Sequence, residues 1–95
     1  MFCSGLTSVT IPNSVTEIDG SAFGGCIGLT NITIPDSVTV ISSYMFYGCS
    51  GLTHINFQGT MEQWWAINKH YGWDDGTGDY TVHCTDGDIL KADDN

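Results

Sequence analysis

The sequence predicts a β-rich α/β solenoid, in which short coils stack so that one strand of each pairs with its neighbours. Three observations lead there. The first is a repeat of 23 residues, carried by Cys3, Cys26 and Cys49, by Gly5, Gly28 and Gly51, by Leu6, Leu29 and Leu52, and by Thr7, Thr30 and Thr53. A coil that short cannot bury its own apolar side chains, so the units must stack and line up equivalent residues as ladders. The second is alternation: Val9 and Ile11, Ile32 and Ile34, and Ile55 and Phe57 take every other position, as on one side of an extended strand. The third is composition, since 14% of the 95 residues are charged and 12 are glycine. That mixture suits thin β-rich layers joined by tight turns.

Each unit can be followed in order. The strand at Val9 and Ile11 ends at Pro12, and its counterpart at Pro35, because proline has no N–H to donate. Val15 and Ile18 then point back inward, and Ala22 and Phe23 close the bend. Val38, Ile41 and Phe46 repeat that set one coil later, and the glycine before Cys26 and Cys49 permits a sharp return. Residues 1–57 hold about two and a half coils and open inside a unit, with Met1 and Phe2 at the positions of Gly24 and Gly25. Such stacks need about three units. The expectation is therefore a truncated N-terminal end, with self-association through the open coil at Leu6, Val9 and Ile11.

Residues 58–95 read as a C-terminal cap, since Gly72 stands where the next cysteine would fall. Thr60 with Gln63 forms a capping box, and a helix is expected over 61–70. Met61, Trp64, Trp65 and Asn68 share one side of it, Ile67 and Tyr71 extend the buried surface, and Gly72 lies past its end. Trp73–Asp79 reads as a loop, Tyr80–Cys84 as a final strand and Thr85–Asp88 as a turn. The acidic tail is expected to fray.

The unit C-I-G-L-T-N-I-T-I-P-D-S-V-T-V-I, followed by M-F-Y-G-C, resembles the 23-residue leucine-rich repeat of the BspA-like surface-antigen family over residues 2–57. The arrangement G-T-x-x-x-W … W … V-H-C-T-D-G is similar to that family's terminal cap. The resemblance implies leucine-rich-repeat coils with parallel strands lining a concave face, closed by a helix-containing C-terminal cap. It also implies extracellular or cell-surface exposure, in bacteria and some protozoa, and a role in adhesion.

Charge narrows the partners. Eleven acids stand against Lys69 and Lys91 for a net charge of −9, and eight of the eleven follow Phe57. Two cations cannot neutralise a row of phosphates, which argues against nucleic acid and against anionic membrane surfaces. No run approaches the roughly 20 apolar residues of a membrane span. Met1-Phe2-Cys3-Ser4 also lacks the basic start of a signal peptide.

Candidate chemistry is thin. Cys3, Cys26 and Cys49 fit a reduced, buried ladder, since parallel Cβ vectors make poor disulfide geometry, and Cys84 is expected to be buried and reduced. His54, His70, His83 and Cys84 form no paired zinc spacing, and adjacent His83 and Cys84 would point to opposite faces of a strand. Cys84 with His70 or His54 lacks any orienting residue for nucleophilic catalysis. In the Asp74–Asp79 run, Asp75, Thr77 and Asp79 mimic the first ligands of a calcium loop, but Tyr80 replaces the glycine such a loop requires. No metal, cofactor or enzymatic activity is implied.

The better functional surface is the concave strand face. Ser8, Thr10, Asn31, Thr33, His54 and Asn56 should point outward between the inward residues, as an uncharged ladder of donors and acceptors. The chain reads as a protein-binding adhesion module for an extracellular or host protein. Two alternatives stay open: a carbohydrate-binding module using Trp65, Tyr71, Trp73 or Tyr80, and a purely structural terminus of a longer solenoid. An exposed tryptophan would favour the carbohydrate reading.

Overall fold

The computed structural model describes residues 6–18, 23 and 25–94. Cys3 and Ala22, assigned above to the ladder and the bend, lie outside them. Nine elements of regular structure follow in chain order: strands β1 (Ser8–Thr10), β2 (Glu17–Ile18), β3 (Asn31–Ile34), β4 (Val40–Ile41) and β5 (His54–Phe57), helix α1 (Met61–Ala66), then β6 (Asn68–Lys69), β7 (Thr81–Cys84) and β8 (Gly87–Leu90). A single 3-10 turn, Lys91–Asp93, ends the described chain.

Two sheets run along the stack. One has the order β1-β3-β5-β7-β8 and the other β2-β4-β6. All pairings are parallel except β7 with β8. This is a parallel-strand β-solenoid of about three turns. Ser8, Asn31, His54 and Thr81 are successive partners in the first sheet, 23, 23 and 27 residues apart. Val40 and Asn68, partners in the second, lie 28 apart. The parallel pairing therefore continues beyond Phe57, although the 23-residue period does not. The chain makes one longer coil, with α1 as the insertion.

Alternation produces the core. Ile32, Ile34, Ile55 and Val82 are fully buried between the sheets, with Leu29, Leu52, Ile41 and Phe46 beside them. Hydroxyls tie coil to coil at the repeat interval: Thr30 Oγ1 donates to the Thr7 carbonyl (3.2 Å), Thr53 Oγ1 to Thr30 (3.4 Å) and Thr39 Oγ1 to Thr16 (3.2 Å). At the return, Gly25, Gly48 and Gly76 share φ of 78°, 83° and 80°. A Cβ on Gly76 would sit 2.7 Å from the Gly48 nitrogen, so the left-handed corner and the coil spacing both require glycine there.

Helix α1 is shorter than the 61–70 span expected from its pattern. The capping box forms: Thr60 Oγ1 accepts from the Gln63 N–H (3.1 Å), and Gln63 Oε1 accepts from the Thr60 N–H (2.8 Å). The helix stops because Ile67 is extended and the next residues are captured by the edge of β4. The Asn68 and His70 N–H groups donate to the Thr39 and Ile41 carbonyls, each at 2.9 Å. Continuing the helix would leave that edge unpaired. Gly72, expected just past the helix, serves a later turn (φ 73°).

Two further expectations are corrected. Tyr80–Cys84 does not supply the final strand: β7 turns at Thr85–Asp86 into antiparallel β8. The tail is not frayed either. Asp94 is buried, because Tyr80 and Trp64 hold its carboxyl at 2.6 and 2.9 Å.

Candidate functional site

Side chains that alternate away from the core form the open face of the five-stranded sheet. All six residues expected there are brought together by the register. Ser8, Asn31, His54 and Thr81 make one row, and Thr10, Thr33, Asn56 and His83 the other. Ser8, Thr10 and His54 are exposed, and Asn31, Thr33 and Asn56 are half-buried. Asn56 Nδ2 donates to Asn31 Oδ1, which locks two amides on adjacent strands into one orientation.

Sequence reasoning missed Thr81, His83 and Asp88 on this face. His83 stacks on His54 with ring centroids 5.2 Å apart, and their Nε2 and Nδ1 atoms lie 3.0 Å apart. His83 Nδ1 is 3.1 Å from Asp88 Oδ1. With the carboxylate accepting from Nδ1–H, His83 Nε2 is left to accept from His54 Nδ1–H. The alternation of Tyr80–Cys84 signalled the strand. Its register was hidden by the lengthened coil.

The other candidates fall as follows. Cys26 and Cys49 are buried, and Cys49 Sγ donates to the Phe23 carbonyl at 2.9 Å. Cys84 is half-buried rather than buried; burial, then Asp86, Asp88 and Asp94, push its thiol up to about 11, so it is not a nucleophile at neutral pH. His83 faces Asp88 on the open side while Cys84 packs on the core, as adjacent strand residues must. Among the described residues no group of three His, Cys, Asp or Glu side chains could hold a metal ion. In the Asp74–Asp79 run, Thr77 Oγ1 donates to the Asp74 carbonyl at 2.8 Å, which turns the middle position of a calcium register onto the backbone.

Asp74 belongs to a buried network instead. Tyr80 Oη lies 2.9 Å from Asp74 Oδ2 and 2.6 Å from Asp94 Oδ2. One phenolic proton cannot serve two carboxylates. The arrangement is satisfied when Asp94 is protonated, and burial holds its carboxyl above the usual carboxylate range. Burial also lowers the Lys69 ammonium, against the pull of Asp94 and Asp74; its Nζ donates to the Trp64 carbonyl at 2.8 Å and lies 4.7 Å from the Trp64 ring centre.

The aromatic candidates divide. Trp73 and Tyr80 are buried, whereas Trp65 and Tyr71, expected on the covered side of the helix, are 47% and 82% exposed. Trp64 takes the inward position alone, against Phe57 (5.3 Å) and Trp73 (5.7 Å).

A family model described as BspA type leucine-rich repeat region (6 copies) matches residues 1–65. No curated protein and no solved structure matches the chain at a significant level.

Proposed function

We propose that this chain, which belongs to the BspA type leucine-rich repeat family, is a non-catalytic recognition module that binds an extracellular or host protein through the open face of its five-stranded sheet. One observation carries the reading. Ser8, Thr10, Asn31, Thr33, His54 and Asn56 stand in register on parallel strands, pointing away from the core. Their hydroxyls, amides and imidazole offer donors and acceptors without a net charge, and strands hold them with little entropy left to lose on binding. Solenoids use such surfaces for extended contacts.

Two parts of the reading concern the ends of the stack. Residues 58–95 act as a plug, with α1 and β8 covering the ladders and strand edge that the last coil would otherwise expose. In this chain taken by itself, the half-buried Val9 and the exposed Leu6 offer an edge for self-association. Display at the cell surface is in keeping with the family. No helix among the described residues is long and apolar enough to cross a membrane.

The test is a capture screen against extracellular-matrix and host surface proteins, run beside a variant carrying Thr10→Lys, Thr33→Lys and Asn56→Lys, with its urea midpoint checking the fold. Capture that the variant loses is the expected result. Capture that survives the variant places the site elsewhere and sinks the reading. Silence on every protein leaves the chain as a structural terminus.

A further inference from the structure

Four large aromatic side chains, none of them on the five-stranded sheet, stand out from the surface: Tyr47, Tyr44, Tyr71 and Trp65, at 60%, 40%, 82% and 47% exposure. Three of them form a row. Tyr44 meets Tyr47 edge to face at 6.0 Å and Tyr71 at 6.2 Å. Tyr71 and Trp65 then line a groove of about 570 Å³, together with Asn68, His70 and Asp75. Exposed rings scattered singly are ordinary, but a contiguous group of them marks a contact surface.

The row is seated on a corner of the coil. Tyr44 has φ 55°, the left-handed region that non-glycine residues rarely occupy. A Cβ at Gly72 would come within 2.5 Å of the Tyr44 ring, so that glycine leaves the space in which the ring is seated. Gly72 follows Tyr44 by 28 residues, as Asn68 follows Val40, so the left-handed corner recurs from coil to coil; the rings do not, since the residues one coil earlier than Tyr44 and Tyr47 in the sequence are Ser21 and Gly24. What departs from the repeat is the side chain: a tyrosine occupies a corner that favours glycine, seats its ring against the glycine of the next corner, and continues into further uncovered rings.

We propose that the row Tyr47, Tyr44, Tyr71 and the adjoining Trp65 groove form a binding site for a neutral oligosaccharide. Sugar rings present C–H faces that stack on aromatic rings, and their hydroxyls match the amide, imidazole and carboxylate of Asn68, His70 and Asp75. Charge selects neutral sugars over acidic ones. The chain carries −9, and the one cation in the groove, Lys69, turns its ammonium toward the Trp64 and Ile67 carbonyls at 2.8 and 3.5 Å. This site shares no residue with the open sheet face, so either can fail without the other.

The experiment screens the chain on an array of neutral glycans with cellohexaose, mannohexaose and chitohexaose, then titrates binders by tryptophan fluorescence. Tyr71→Ala and Trp65→Ala alter exposed side chains, and their urea midpoints report any loss of fold. The variant with lysines at positions 10, 33 and 56 is the control. The expected result is salt-insensitive binding of a neutral glycan that falls about tenfold in each aromatic variant and is unchanged in the control. No neutral glycan bound, or binding that survives both aromatic variants, overturns the proposal. So does loss of protein capture in those variants with no glycan bound, which would make the row a protein contact.

Discussion

Replacing Trp64 by alanine removes the largest fully buried side chain among the described residues. Its ring packs edge to face on Phe57 and Trp73, at 5.3 and 5.7 Å, and its indole N–H donates to Asp94 Oδ1 at 2.9 Å. Truncating a buried tryptophan to alanine costs about 3–5 kcal/mol through the cavity left behind. A domain of this length has roughly 5–14 kcal/mol in total, so the variant should be marginal and its Tm lower by about 12–40 °C. Trp64→Phe separates the contributions: most of the packing stays, Asp94 loses a donor, and the cost should be about 1–3 kcal/mol. The neighbouring residue is the control. Trp65 is 47% exposed, and Trp65→Ala should cost about 1 kcal/mol or less. Urea unfolding followed by far-UV circular dichroism measures all three. Equal losses at the two tryptophans, or a Trp64→Ala variant as stable as the parent, would refute the assignment of the inward face.

Two predictions concern ionisation. Burial raises the folded-state Asp94 carboxyl above its unfolded value, so its contribution is complete below the unfolded pKa and is lost as pH rises through the folded one. Asp94→Asn cannot ionise; the stability of the parent relative to this variant should fall as pH climbs out of the acid range, and a relative stability that rises with pH would contradict the network. The Cys84 thiol, pushed up to about 11, should react with iodoacetamide at a rate that climbs about tenfold per pH unit past the ordinary value of 9.0, as peptide mapping would record. A rate that levels off near neutral pH would mean that the thiol is not held protonated.

The solenoid was legible because its information is repeated in the chain. Val9, Ile32 and Ile55 share a register in the sheet for the same reason that they share a place in the unit: a coil of fixed length returns each residue to the same side. The open face followed from the period of two. The capping box at Thr60 and Gln63 was also readable, since it depends on atoms three residues apart.

What lay beyond the sequence depended on atoms distant along the chain. Asn68 and Lys69 carry no strand pattern; they leave the helix because the edge of β4 offers hydrogen bonds that a continued helix would leave unmade. That choice lengthens the coil and so puts His83 beside His54. It also turns Trp64 inward and Trp65 and Tyr71 outward, a division that helical periodicity alone assigned otherwise. Asp94 looked like one more acid in a loose tail, and only the folded chain brings Tyr80 and Trp64 to its carboxyl. Repetition determines the stack from the residues themselves. Where repetition lapses, pairing and burial between distant segments decide, and no local pattern encodes them.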